Sequence, residues 1–146
     1  MYIVQFGDLH IGSEVKCGDS ESEEQILSGA IEKIKQEVPV GQQLLICVCG
    51  DIIDSKKLPK RAKKRAAKRY EDAAKLFVLM REQLKEYNHI AFRFCTGNHD
   101  ITHMDEFSRF VHLFDETSSI EALESCYDYK AEEIYYIFIN YCYNRN

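Results

Sequence analysis

The sequence predicts an α/β protein built on a mostly parallel sheet flanked by helices. Short apolar runs alternate with stretches of helical period, in the order β, α, β, α, β, then a shorter helix and a pair of strands. Each of the first three strands runs directly into a polar loop, as parallel α/β units do at their carboxyl ends. No internal repeat and no flexible linker interrupts the 146 residues, so the chain reads as one domain over residues 1–146.

Residues 2–6 alternate Tyr, Ile, Val, Gln, Phe and form the first strand, which ends at Gly7-Asp8. Ser20-Glu21-Ser22-Glu23 has the spacing of a capping box. The helix it opens carries the stripe Ile26, Leu27, Ala30, Ile31 and Ile34 and stops at Pro39 and Gly41. Leu44 to Cys49 is continuously apolar, which suits a strand buried on both faces. The clearest helix runs from about Pro59 to Tyr87, with Ala62, Ala66, Tyr70, Ala73, Phe77, Met80, Leu84 and Tyr87 at steps of three and four. Ile90 to Cys95 is the third strand and leads into Gly97. A weaker helix covers Asp105 to Phe114, and residues 127–130 and 134–140 read as two strands around a polar turn.

Composition removes several classes. With 45% hydrophobic residues the chain is not of disordered type. The amino terminus lacks the basic start and apolar run of a secretory signal, and the longest apolar segment, 134–139, is too short for a bilayer. A cytoplasmic protein with no membrane partner is expected. Six cysteines occur, at 17, 47, 49, 95, 126 and 142, without a second pair at zinc-site spacing, so they read as reduced core thiols.

The polar residues at the strand ends are of metal-binding type. Asp8 and His10 follow the first strand, Asp51 and Asp54 the second, and Asn98, His99 and Asp100 the third. Carboxylate and amide oxygens with neutral imidazole suit Mn, Fe, Zn or Ni. A carboxylate can bridge two ions about 3.5–4 Å apart, a spacing that activates water and clamps a phosphoryl group. A packed core requires none of these residues.

Together, Asp8-x-His10, Gly50-Asp51-x-x-Asp54 and Gly97-Asn98-His99-Asp100 resemble the first three motifs of the calcineurin-like metallophosphoesterase family, nearest to its branch of DNA-repair nucleases. The resemblance implies the amino-terminal half of an α/β/β/α sandwich and hydrolysis of a phosphodiester by metal-activated hydroxide. It implies that Asp8 and His10 bind a first ion, that Asp51 bridges, and that Asn98 binds a second. His99 would contact the phosphate and assist the leaving group, with Asp100 orienting its imidazole and Asp54 supporting the ligands or fixing its own loop. The metal would be a divalent ion, Mn foremost.

The family's later histidines, including a Gly-His-x-His motif on a second sheet, have no counterpart, since no Gly-His pair occurs in the sequence. The resemblance therefore implies a domain truncated on its carboxyl side, its second sheet largely missing. The first ion keeps three ligands and the second site is weak or empty. His103 and His112 read as ordinary surface or core-edge imidazoles. Partners implied are a phosphoester substrate, DNA or RNA among them, and either a second copy of the chain or a separate chain supplying the missing histidines.

Charge is segregated along the chain. Residues 56–69 hold nine Lys or Arg and no acid, leaving ten basic against all 24 acidic residues elsewhere, although the net charge is −5. Lys60, Arg61, Lys63, Lys64, Arg65, Lys68 and Arg69 are thus candidates for a nucleic-acid backbone, where phosphate contacts give salt-dependent affinity. The alternative is a solvated helix face. Metal-dependent phosphodiester hydrolysis, with nucleic acid as a substrate class, is the reading expected from these features. Its rival is an inactive, truncated or split fragment that binds metal or nucleic acid without turnover.

Overall fold

The computed structural model describes residues 1–13, 22–55, 58, 59 and 61–114, together with the backbone of 135–138. The elements are β1 (Tyr2–Gly7), α1 (Glu23–Glu37), β2 (Gln43–Cys49), α2 (Lys63–Gln83), β3 (His89–Cys95), a single 3-10 turn (Ile101–His103), α3 (Met104–His112) and β4 (Tyr135–Phe138). The strands form one sheet in the order β3-β2-β1-β4, and every pairing is parallel. No helix among the described residues is long and apolar enough to cross a membrane.

The expected α/β architecture, with a parallel sheet flanked by helices, is what the chain adopts. Along α1, Ala30, Ile31 and Ile34 are buried, as the sequence periodicity requires. The capping box sits two residues later than its spacing suggests: Ser22 Oγ accepts from Gln25 N–H at 3.2 Å, and Gln25 Oε1 accepts from Ser22 N–H at 2.7 Å. Gln serves at the third position as well as Glu, so Ser22-x-x-Gln25 competes with Ser20-x-x-Glu23. On α2, Ala66, Tyr70, Ala73, Phe77 and Met80 form the buried stripe, and Leu84 and Tyr87 extend it past the helix end.

The strands have one core-facing side. Val4 and Phe6 of β1, Leu44, Ile46 and Val48 of β2, and Phe92 and Phe94 of β3 are buried with the helix residues in a single apolar cluster. Phe77 is its hub, meeting Phe92, Phe94 and Phe110 edge-on at centroid separations of 5.6–5.8 Å. The alternate strand residues lie on the other side. There Leu45 is buried, Cys47, Arg93 and Cys95 are half-buried, and Cys49 is exposed. This corrects two expectations: β2 is not buried on both faces, and the thiols of Cys47, Cys49 and Cys95 are outside the core. An uninterrupted apolar run cannot be told from alternation when cysteine supplies the second face.

Residues 134–140, expected as a strand, include β4, which pairs with β1. The companion strand at 127–130, Tyr127, Tyr129, Tyr141 and Tyr143, and Cys17, Cys126 and Cys142 lie outside the described residues.

Register does the positioning. Gly7, Cys49 and Cys95 are aligned across β1, β2 and β3. The three polar loops therefore leave the sheet side by side. Phe77→Ala would open a cavity at the aromatic hub, and we expect a loss of about 3–5 kcal/mol in urea unfolding with the slope unchanged.

Candidate metal centre

Beyond the sheet, the first two loops remain stitched together. His10 N–H donates to Asp51 O and Ile11 N–H to Ile52 O, both at 2.9 Å, and Asp54 N–H donates to Ile11 O at 3.1 Å. Ile11 and Ile53 form an isolated parallel bridge. This pairing holds three non-glycine residues in the left-handed region: Asp8 (φ 52°), His10 (φ 47°) and Asp51 (φ 48°). Such conformations cost of order 1–3 kcal/mol each and concentrate at functional sites. Here they fall on the three residues expected to hold the first ion.

Asp51 is buried between the loops. Its Oδ1 accepts from His99 N–H at 2.9 Å, while Oδ2 lies 3.9 Å from His10 Nε2. The largely exposed Asp8 carboxylate places Oδ1 4.0 Å from the same His10 nitrogen. His10 and His99 meet edge-on, their rings 4.7 Å apart. One donor atom each from His10, Asp51 and His99 lie within 4.8 Å of one another. Atoms bonded to a common ion at about 2.1 Å stand no more than about 4.2 Å apart. The Asp8–His10 and His10–Asp51 pairs are already within that limit, and the wider trio needs a small inward movement or a second ion. The donor set of carboxylates and imidazole fits a borderline divalent ion.

The third loop is locked to the second by close backbone approach. Gly50 has φ +77°, and a Cβ there would meet the Gly97 backbone at 2.8 Å. A Cβ at Gly97 would fall 2.0 Å from Asp51 Oδ1 and 2.3 Å from Asp51 N. Only glycine leaves room for that carboxylate.

Asp100 is fully buried and faces inward. Its Oδ2 accepts from Gly97 N–H at 3.0 Å and Ile52 N–H at 3.3 Å, and its Oδ1 accepts from Tyr70 O–H at 2.7 Å. Burial pushes its pKa up, and the bonds from Tyr70, Gly97 and Ile52 oppose that rise. Burial, followed by the charge of Asp100, drives the Tyr70 ionisation far above its ordinary range, so the phenol remains a donor.

Asp100 therefore makes no bond to the His99 ring, contrary to the role the resemblance implied for it. That ring is met by the second loop: Ser55 N–H donates to His99 Nδ1 at 2.8 Å, and Asp54 Oδ1 lies 3.3 Å from the same nitrogen. The shorter contact comes from a backbone N–H that can only donate, so the neutral ring carries its proton on Nε2. Ser55 Oγ also donates to His99 O at 2.8 Å. The difference is directional: the Asp100 carboxylate turns inward to Ile52, Gly97 and Tyr70, while the His99 ring meets Ser55 and Asp54 further along the second loop.

Other sequence candidates are placed as follows. Asn98 is exposed and its side chain forms no hydrogen bond among the described residues. His103 is buried, with Nε2 unpartnered among the described residues, and His112 Nδ1 lies 2.7 Å from Ser108 O on α3, so neither joins the cluster. Of the basic run, Lys56, Lys57 and Lys60 lie outside the described residues. Lys63 pairs with Asp105 and Lys68 with Asp72, whereas Arg61, Lys64 and Arg65 are exposed without an ion pair among the described residues. Arg69 folds its side chain against Gly12, two residues past His10.

Sequence reasoning missed Tyr70 and Ser55. Tyr70 was legible only as a stripe residue, though a tyrosine among Ala, Phe and Met signals a hydroxyl that needs a buried partner. Nothing marked Ser55.

Two substitutions test this frame. Tyr70→Phe keeps the ring against Phe107 and Phe110 and removes one bond to a buried carboxylate. It should lower stability by about 2 kcal/mol and weaken divalent-metal binding in calorimetry. Gly97→Ala should abolish that binding while circular dichroism stays that of a folded α/β chain; an unchanged titration would show that Asp51 is not a ligand.

The family pattern described as calcineurin-like phosphoesterase matches residues 1–140. No curated protein and no solved structure matches the chain. Family members bind divalent metals and hydrolyse phosphoesters, consistent with the carboxylates and imidazoles gathered at the strand ends. Because the match spans nearly the whole sequence, this chain belongs to the calcineurin-like phosphoesterase family.

Proposed function

We propose that the chain is a divalent-metal-dependent phosphodiesterase whose substrates include nucleic acid. The observation that carries the metal reading is the gathering of His10, Asp51 and His99 at the strand ends, one donor atom of each within 4.8 Å of the others, with Asp8 Oδ1 4.0 Å from His10 Nε2. Asp8, His10 and Asp51 hold the first ion, manganese foremost. Asp51 and Asn98 offer a second, weaker position. Bound divalent ions supply a nucleophile at neutral pH and neutralise charge on the phosphoryl oxygens.

The remaining roles belong to the protein. Asp51 is fixed through Oδ1 by His99 N–H, leaving Oδ2 for the ion. Ser55 N–H holds the His99 tautomer, so that Nε2–H is a donor to a phosphate or leaving oxygen. Asp54 Oδ1 stands 3.3 Å from Nδ1 on the same side of that ring. Asp100 acts at one remove, by setting the loops that carry Asp51 and His99.

The nucleic-acid reading rests on the opening of α2. Arg61, Lys64 and Arg65 are exposed, with no ion pair among the described residues, at a helix start, where basic residues oppose the macrodipole and so gain nothing from the helix itself. Arg69 brings the same helix into contact with the loop bearing Asp8 and His10.

With manganese, the protein should hydrolyse bis-para-nitrophenyl phosphate. Asp51→Asn should reduce the rate by at least about 100-fold, and His99→Gln should lower kcat more than it raises KM. Calorimetry should find one measurable manganese site per chain. Wild-type binding of metal without turnover would favour a binding module, and activity only on adding a second chain would favour a split enzyme. A Lys64→Glu, Arg65→Glu variant should bind single- or double-stranded DNA more weakly and with a shallower salt dependence, leaving hydrolysis of the small substrate unchanged.

A further inference from the structure

Cys49 and Cys95 are the last residues of β2 and β3 and stand opposite each other in the parallel register. Neighbouring strands lie about 4.7–4.9 Å apart, within the 4.4–6.8 Å Cα separation of disulfides. Their flanking residues Val48 and Phe94 are buried in the core, so both thiols project to the opposite side of the sheet. There Cys49 is exposed and Cys95 is partly so, with the Cys95 thiol directed at Val48 O, 3.7 Å away at the end of the strand that carries Cys49. Separation, direction and access thus meet the conditions for a disulfide at one place.

We propose that Cys49 and Cys95 form a reversible oxidation site that closes to a disulfide in the presence of a hydroperoxide. One sulfur attacks the peroxide, the O–O bond breaks, and a sulfenic acid and one molecule of water result. The second sulfur displaces the sulfenic hydroxyl as another water, so two thiols and one hydrogen peroxide yield one disulfide and two waters. A small dithiol reverses the step by exchange.

Cys47 is on the same side but is not the partner. Two residues along one strand separate side chains by about 6.6 Å at 3.3 Å per residue, too far for the roughly 3.5–4.5 Å Cβ separation of a disulfide. Its register partner is Arg93.

The position relates the site to the metal loops. Cys49 precedes Gly50-Asp51 and Cys95 precedes Thr96-Gly97, where the Gly50 and Gly97 backbones approach closely. A covalent tie there sets the spacing of the two strand ends that carry Asp51 and His99. Formation of the bond does not depend on hydrolytic activity, so it is tested separately from the proposed function.

The test uses the reduced 146-residue chain, treated with hydrogen peroxide, quenched with iodoacetamide and mapped without reductant. The expected result is loss of two hydrogens and a linked peptide pair joining Cys49 to Cys95, cleaved by dithiothreitol. Cys95→Ser should reduce the linked product to background, and Cys47→Ser should leave it unchanged. Alkylation of both Cys49 and Cys95 after peroxide would overturn the proposal. So would a dominant disulfide that includes Cys17, Cys47, Cys126 or Cys142, or conversion of Cys49 to sulfinic acid while Cys95 is alkylated.

Discussion

The buried carboxylate of Asp100 joins three parts of the chain that sequence leaves far apart. It accepts from Ile52 in the loop after β2, from Gly97 in the loop after β3, and from Tyr70 in the middle of α2. Ionised carboxylate is poorly tolerated in an apolar surround unless donors surround it. The direction of its pKa shift shows that burial still outweighs those donors. Asp100 therefore contributes more to geometry than to net stability, as buried charges that specify an arrangement can. Everything nearer the metal position hangs from the loops it joins.

Those loops carry strain, and their pairing is what sustains it. Asp8, His10 and Asp51 occupy left-handed backbone while the chain around them keeps a parallel ladder through His10, Ile11 and Asp54. Asp51 is further clamped between His99 N–H and the bare Cα of Gly97. Rigid positioning of this kind would leave little ordering entropy to be lost were an ion bound there.

The sheet is asymmetric in a way that separates stability from chemistry. One face is sealed by α1, α2 and α3 around the Phe77 hub, and it accounts for the bulk of the described core. The other carries Ile3, Gln5, Leu45, Cys47, Cys49, Ala91, Arg93 and Cys95, a mixture of apolar, thiol and polar groups in which Leu45 alone of these is buried. α2 serves both sides of this division: its buried stripe supports the sheet, Tyr70 reaches Asp100, and its basic opening turn faces solvent.

Much of this was determined by the sequence alone. Periodicity in α2 and the apolar runs of β1 to β3 dictated element type, because burial of one stripe or one face leaves a repeat of 3.6 or 2. Motif spacing named Asp8, His10, Asp51, Asn98, His99 and Asp100, and strand-end placement put them in neighbouring loops. Local rules could not say which partner each side chain would meet. Whether Asp100 or Asp54 stands beside His99, whether Tyr70 is only packing, and which face of β2 holds its cysteines all depend on contacts between residues some 30–50 positions apart. Those contacts are set by strand register and loop packing, and therefore only the tertiary structure decided them.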